Sequence, residues 1–270
     1  PMRIPERNTI MADTRSIERT IRIAASPDDV FRALTEANEL TNWFPVQAKS
    51  DPREGGSVWM SWGEDWAEGE ATFAVFDPPE KLVIHSEGAF GSNPTEQTWT
   101  ITRDGAETVL HLVHSGFSAD ASEDDVYDSV CTGWQFELTG LKHYLERHKG
   151  TKREVVVRQL PIACSRAEAC AAVLGGNPPA AGERFSIELP GYGTLEGVTL
   201  VNNAPRDFAA VIPSVNDAYL RCLTEACGGS MAAILWLSCY GVDQRTMDDI
   251  GAGFEQLLGE RLAKSVATIE

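Results

Sequence analysis

Residues 108–148 read TVLHLVHSGFSADASEDDVYDSVCTGWQFELTGLKHYLERH, and the hydrophobic period changes within them. Over Thr108–Ser115 the period is two: Leu110, Leu112 and His114 share one face, Val109, His111 and Val113 the other. Beyond Gly116, the segment 118–128 carries five acids and reads as a solvated loop and helix start. From there the period is helical, with Val126, Val130, Trp134, Leu138, Leu141 and Leu145 on one stripe. Ser122 with Asp125 has the spacing of a capping box, so one long helix is expected over Ser122–His148. Alternating strands must cover one face, and this helix is the one element nearby that is long enough to do it.

Upstream, Ser16–Ala24 is short and β-branched, a strand. Ser26-Pro27-Asp28-Asp29 opens a helix: Ser as N-cap, Pro in the first turn, acids against the dipole. A second short helix around Glu36–Asn42 runs into Trp43-Phe44-Pro45, where the proline stops it. Strands follow at Val58–Trp62, Gly69–Phe76, Lys81–Glu87 and Thr95–Arg103, and Asp104-Gly105 signals a tight hairpin into the stretch quoted above. The order is strand, two short helices, antiparallel strands, long helix.

That order repeats after a basic hinge, 148–153. Glu154–Leu160 reads as a strand, Ser165 and Glu168 as a capping box opening a helix to Leu174, and Gly175–Gly182 as a loop too short for a second small helix. Strands at Phe185–Leu189, Thr194–Asn202, Phe208–Ile212, Ala218–Ala226 and Met231–Tyr240 precede a closing helix over Thr246–Val266. With an offset of 120, Gly133-Trp134 falls on Gly253-Phe254 and Leu138 on Leu258. A tandem duplication is the reading. The expected fold class is α+β, two tandem domains that each wrap a curved antiparallel sheet around a long C-terminal helix. The expected division is an arm at 1–14, a first domain at 15–148, a linker at 149–153 and a second domain at 154–270.

The chain has 270 residues and a net charge of −17. That balance disfavours nucleic acid, whose affinity rests on Lys and Arg at phosphates, and anionic membrane surfaces. Residues 1–150 hold 13 basic and 26 acidic residues and all five histidines; five of the six cysteines lie beyond 150. No CxxC spacing occurs, and the second half has no histidine, so neither metal site nor cofactor is expected. The cysteines read as buried reduced thiols, with Cys222 and Cys227 on opposite faces of one strand. No signal-peptide h-region or 18-residue apolar run appears, and the expectation is a cytoplasmic protein.

The stretches IERTIRIAASPDDVFRALTE (17–36), Trp43-Phe44-Pro45, GEATFAVFDPPEKLVI (69–84), HLVHSGF (111–117) and GWQFELTGLKHYL (133–145) resemble the SRPBCC or START-like helix-grip superfamily. Within it they are similar to the branch named after the activator of the heat-shock-90 ATPase. Residues 153–266 resemble the same fold by element order and the Gly-Phe helix alone. The resemblance implies a cavity between helix and sheet, and it makes a chaperone partner one reading. The chain lacks the basic RKxxK-type segment that the resemblance would imply for eukaryotic activators.

The leading expectation is a small hydrophobic or aromatic ligand in the first domain, walled by Trp59, Trp99, Leu110, Leu112, Trp134 and Leu138 with His114 as polar anchor at the rim. The loop carrying Trp62 and Trp66 is a candidate mouth. An enzyme of the cyclase or hydrolase kind, with His114 as general base, is the alternative. No nucleophile elbow, HExxH or phosphate loop is present. For the second domain a structural or regulatory role is expected, any chemistry there needing Tyr192, Tyr219, Tyr240 or a cysteine.

Overall fold

The computed structural model describes residues 14–63, 68–88, 91–227 and 230–263. The arm expected at the N-terminus lies outside them up to residue 13, and Thr14 already opens the first strand.

The first half is β1 (Thr14–Ile23), α1 (Pro27–Thr35), α2 (Ala37–Leu40), β2 (Gln47–Ser50), β3 (Ser57–Ser61), β4 (Glu68–Asp77), β5 (Lys81–Ser86), β6 (Thr95–Asp104), β7 (Glu107–Ser118) and α3 (Asp124–His143). Its seven strands form an antiparallel sheet in the order β1-β7-β6-β5-β4-β3-β2. Ser26 caps α1 as its spacing foretold, accepting from the Asp29 amide. Strand β2 was not anticipated: its four residues are polar or small, half-exposed, and lie on the sheet edge, so alternation leaves no signal. The expected cap at Ser122 is displaced by two residues. Asp120 is the acceptor, taking the Ser122 amide at 2.8 Å, and a 3-10 turn over Ala121–Glu123 leads into α3. A π turn, Tyr144–His148, ends the helix.

The second half is β8 (Arg153–Pro161), α4 (Arg166–Leu174), β9 (Arg184–Leu189), β10 (Gly193–Asn203), β11 (Asp207–Ile212), β12 (Ala218–Cys227), β13 (Ser230–Tyr240) and α5 (Gln244–Leu262). Its sheet runs β8-β13-β12-β11-β10-β9. In both sheets the first strand of the half pairs with the last, and the long helix follows that last strand. The Ser165–Glu168 capping box forms, and Gly175 ends α4 at φ 76°, in the left-handed region glycine tolerates. The architecture is α+β, two curved antiparallel sheets each gripping one long helix. Among the described helices none is long and apolar enough to cross a membrane.

Helix α3 is buried on two sides. Trp134, Leu138, Leu141 and Leu145 enter the first core, while Phe136 packs with Tyr219 and Val201 of the second sheet. Gly140 faces the Tyr219 ring, where a Cβ would sit in ordinary van der Waals contact at 3.4 Å. Polar groups stitch the seam. Tyr219 donates to the Phe136 carbonyl at 3.1 Å and Tyr240 to the Asn42 carbonyl at 2.8 Å. His148 stacks on Tyr240 at 4.2 Å, and His143 donates to the Asp217 carbonyl at 2.7 Å. Burial drives the His143 pKa down to about 4. At the other end of α3, Asp125 receives Arg166 and Arg206 from the second half, and those guanidiniums hold its carboxyl down at about 2.

Candidate functional site

The site is built around Phe44. Pro45 ends the short-helix region, and this turn leaves two aromatic residues side by side. Trp43 is anchored in the core by an indole hydrogen bond to the Ala33 carbonyl at 2.8 Å. Phe44 stacks on it at 4.9 Å, stays half-buried, and meets Trp62 at 5.0 Å and Trp134 at 5.9 Å. Its backbone is clamped from the second half: Arg153 donates to the carbonyls of Phe44, at 3.2 Å, and Pro45.

Three voids meet at this ring. The innermost, about 20 Å³, lies between Phe44, Met60, Gln97, Trp99 and Trp134. A second, about 90 Å³, opens past Met60, Trp62, Ala71, Ile84 and Gln97. The third, about 200 Å³, lies along α3 between Phe44, Trp62, Val130, Gly133, Trp134 and Glu137. Phe44 belongs to all three walls. The smallest void has room for roughly one water, which needs at least ~10–15 Å³. The Trp99 indole N–H is buried there with no acceptor among the described residues.

Of the residues expected to line a cavity, Trp99 and Trp134 do so. Leu110, Leu112 and Leu138 are buried in the core behind them. Trp59 is a correction. On β3 the inward positions are Val58 and Met60, so Trp59 falls on the opposite face, where it lies under Lys49. The rim position expected of His114 is also corrected: it shares the Leu112 face but is 0% exposed. The Trp134 indole donates to its Nδ1 at 2.9 Å, so that nitrogen's lone pair is occupied. Burial pushes the pKa of His114 down to about 3, far from the near-neutral value a general base needs. Trp62 lines both outer voids, and Trp66 lies outside the described residues.

Sequence reasoning missed Phe44, Met60, Gln97 and Glu137 as lining residues. Gln97 had a signal: on β6 it falls on the same face as Thr95, Trp99 and Ile101, all buried, so it is a polar group on a core face. Glu137 had none, because it sits beside the apolar stripe of α3 and its partner comes from another sheet. In the second half, Phe185, Phe208, Phe254 and Leu258 are buried together in the core. Tyr219 and Tyr240 serve the seam. Cys222 and Cys239 are buried, and burial pushes both thiols up, Cys239 to about 12; the Cys227 side chain lies outside the described residues. Among the described residues no three His, Cys, Asp or Glu side chains are grouped to hold a metal.

Residues 24–146 match the family model described as "Activator of Hsp90 ATPase homolog 1-like protein". No curated protein matches the chain. Among solved structures, CalU16 from Micromonospora echinospora is similar at 27% identity over 49% of this chain and 76% of that one, with a TM-score of 0.40. DynU16, of the dynemicin biosynthetic locus, is 18% identical over 92% of this chain and 96% of that one, TM-score 0.44. The di-domain ARO/CYC BexL of the BE-7585A biosynthetic pathway is 15% identical over 93% and 94%, TM-score 0.47. By the match over 24–146, on a sheet that grips α3, the first half of the chain is similar to the Activator of Hsp90 ATPase homolog 1-like family.

Proposed function

We propose that the first half binds a small, mainly apolar molecule in the aromatic space around Phe44. The observation that carries this is the convergence of three voids on one half-buried ring. Rotation of Phe44 would join them into a space near the lower end of small-molecule sites, roughly 300 Å³. Trp62 and Trp134 would flank the ligand, and the Trp99 N–H, which has no acceptor among the described residues, would donate to an acceptor at its inner end. Apolar burial supplies the affinity, at about 25 cal/mol per Å² before ordering costs. The second half is structural in this reading: Arg153 fixes the backbone that carries the Phe44 ring.

The test is titration with Nile red, a neutral dye that brightens in apolar sites, followed by displacement with candidate ligands. Saturable binding that quenches tryptophan emission and raises the melting temperature is expected, because a ligand of the native state stabilises it. Dye that does not saturate, with an unchanged melting temperature, refutes the proposal.

A further inference from the structure

Among the described residues, the void of about 200 Å³ along α3 has one ionisable side chain in its wall, Glu137. This side chain is 12% exposed. Its Oε1 accepts from Arg221 Nη2 at 2.7 Å, and the Arg221 guanidinium is itself held over the Phe136 ring at 3.5 Å. Among the described residues no hydrogen bond reaches Oε2. Among the described residues, neither this void nor the two beside it has Lys, Arg or His in its wall. A carboxylate taken out of water needs its lone pairs satisfied, and burial already pushes this one up while Arg221 pulls it back.

We propose that the ligand of this pocket presents a hydrogen-bond donor, ammonium or hydroxyl, to Glu137 Oε2, with its apolar body against Phe44, Trp62 and Trp134, and that anionic ligands are rejected. The proposal rests on the binding reading above and narrows it to a chemical class. It also gives the second half a part in recognition. Arg221, on β12, is a positioning residue: it occupies Oε1 and so orients the carboxylate in the wall of the void. Specificity of this kind is strong, since a buried acceptor left unpaired by a ligand without the donor costs more than a missing methylene.

Four probes of one shape decide it by calorimetry on the full chain: naphthalenemethylamine, naphthalenemethanol, methylnaphthalene and naphthoate. Either or both donor compounds should bind at least about tenfold tighter than methylnaphthalene, the range of a hydrogen bond to a charged group, and naphthoate weakest. Which donor binds tighter identifies the head group. In Glu137→Gln the amide oxygen can still accept from Arg221, which turns the amide NH2 toward the void, and the preference should flatten. If methylnaphthalene or naphthoate binds the wild type as tightly as the donors, the donor inference is overturned while the pocket reading stands. If none of the four binds, both fall. The wild-type series decides by itself should the variant not fold.

Discussion

Gly133 is the position where the pocket can be closed without touching the core. It lies on α3 in the wall of the largest aromatic void, and a Cβ added there meets nothing within 4 Å. Side chains on a helix lean toward its N-terminus, so the side chain introduced by Gly133→Leu would lie over Ser129 and Val130, which line the same void. Two effects follow with opposite readouts. Replacing glycine by leucine in a helix interior stabilises it by about 0.5–1 kcal/mol, since glycine loses more backbone freedom on folding. For a chain of this size that amounts to roughly 2–4 °C in melting temperature per kcal/mol. The void, meanwhile, is filled from within, and Nile red affinity should fall at least tenfold, about 1.4 kcal/mol. Calorimetric melting and dye titration of the same sample separate the effects. A variant that melts higher but binds dye as well as wild type shows that this void is not the site. A variant that melts lower shows that the space beside Gly133 is not open, and the reasoning fails at its first step.

Trp99→Phe removes a buried N–H that has no acceptor among the described residues, but it also leaves a cavity in the core, so stability should fall by about 1–3 kcal/mol and ligand affinity should drop; unchanged affinity would contradict this. Arg153→Met leaves the Phe44 and Pro45 carbonyls unpaired and should cost about 1–3 kcal/mol, with altered tryptophan emission as Phe44 loosens on Trp43; an unchanged denaturation midpoint would show the clamp is dispensable. His143 and His114 are held neutral, with folded pKa values of about 4 and about 3, below the free imidazole's ~6.5. The unfolded chain therefore binds more protons between these values, so stability is full above pH 6.5 and declines as pH falls, by about 1.4 kcal/mol per pH unit for each group. Equal urea midpoints at pH 7 and pH 5 would refute their burial as neutral rings.

The elements were legible where local rules suffice. Periodicity found α3 and α5, the Ser26 and Ser165 caps settled two helix starts, and the repeated order revealed two sheets gripping two helices. These signals survive in sequence because capping and alternation act within a few residues. The edge strand β2 left no trace because an edge needs no apolar face, and Trp59 was assigned inward because three nearby tryptophans give composition without parity. His114 was correctly placed on the Leu112 face, but its depth depends on how far the sheet closes over Trp134.

Sequence by itself determined the fold class, the duplication, the acidic surface and the aromatic content of the first half, because each follows from residue type and short-range spacing. Tertiary structure decided which rings meet. Phe44, Trp62 and Trp134 lie up to ninety residues apart in the chain and converge only when α3 docks in the sheet. It also decided that the second sheet packs on the outer side of that helix. That contact sets Arg221 on Glu137 and Arg153 on the turn holding Phe44. No local spacing encodes these pairs, since the partners are brought together by packing between elements rather than by the periodicity of any one of them.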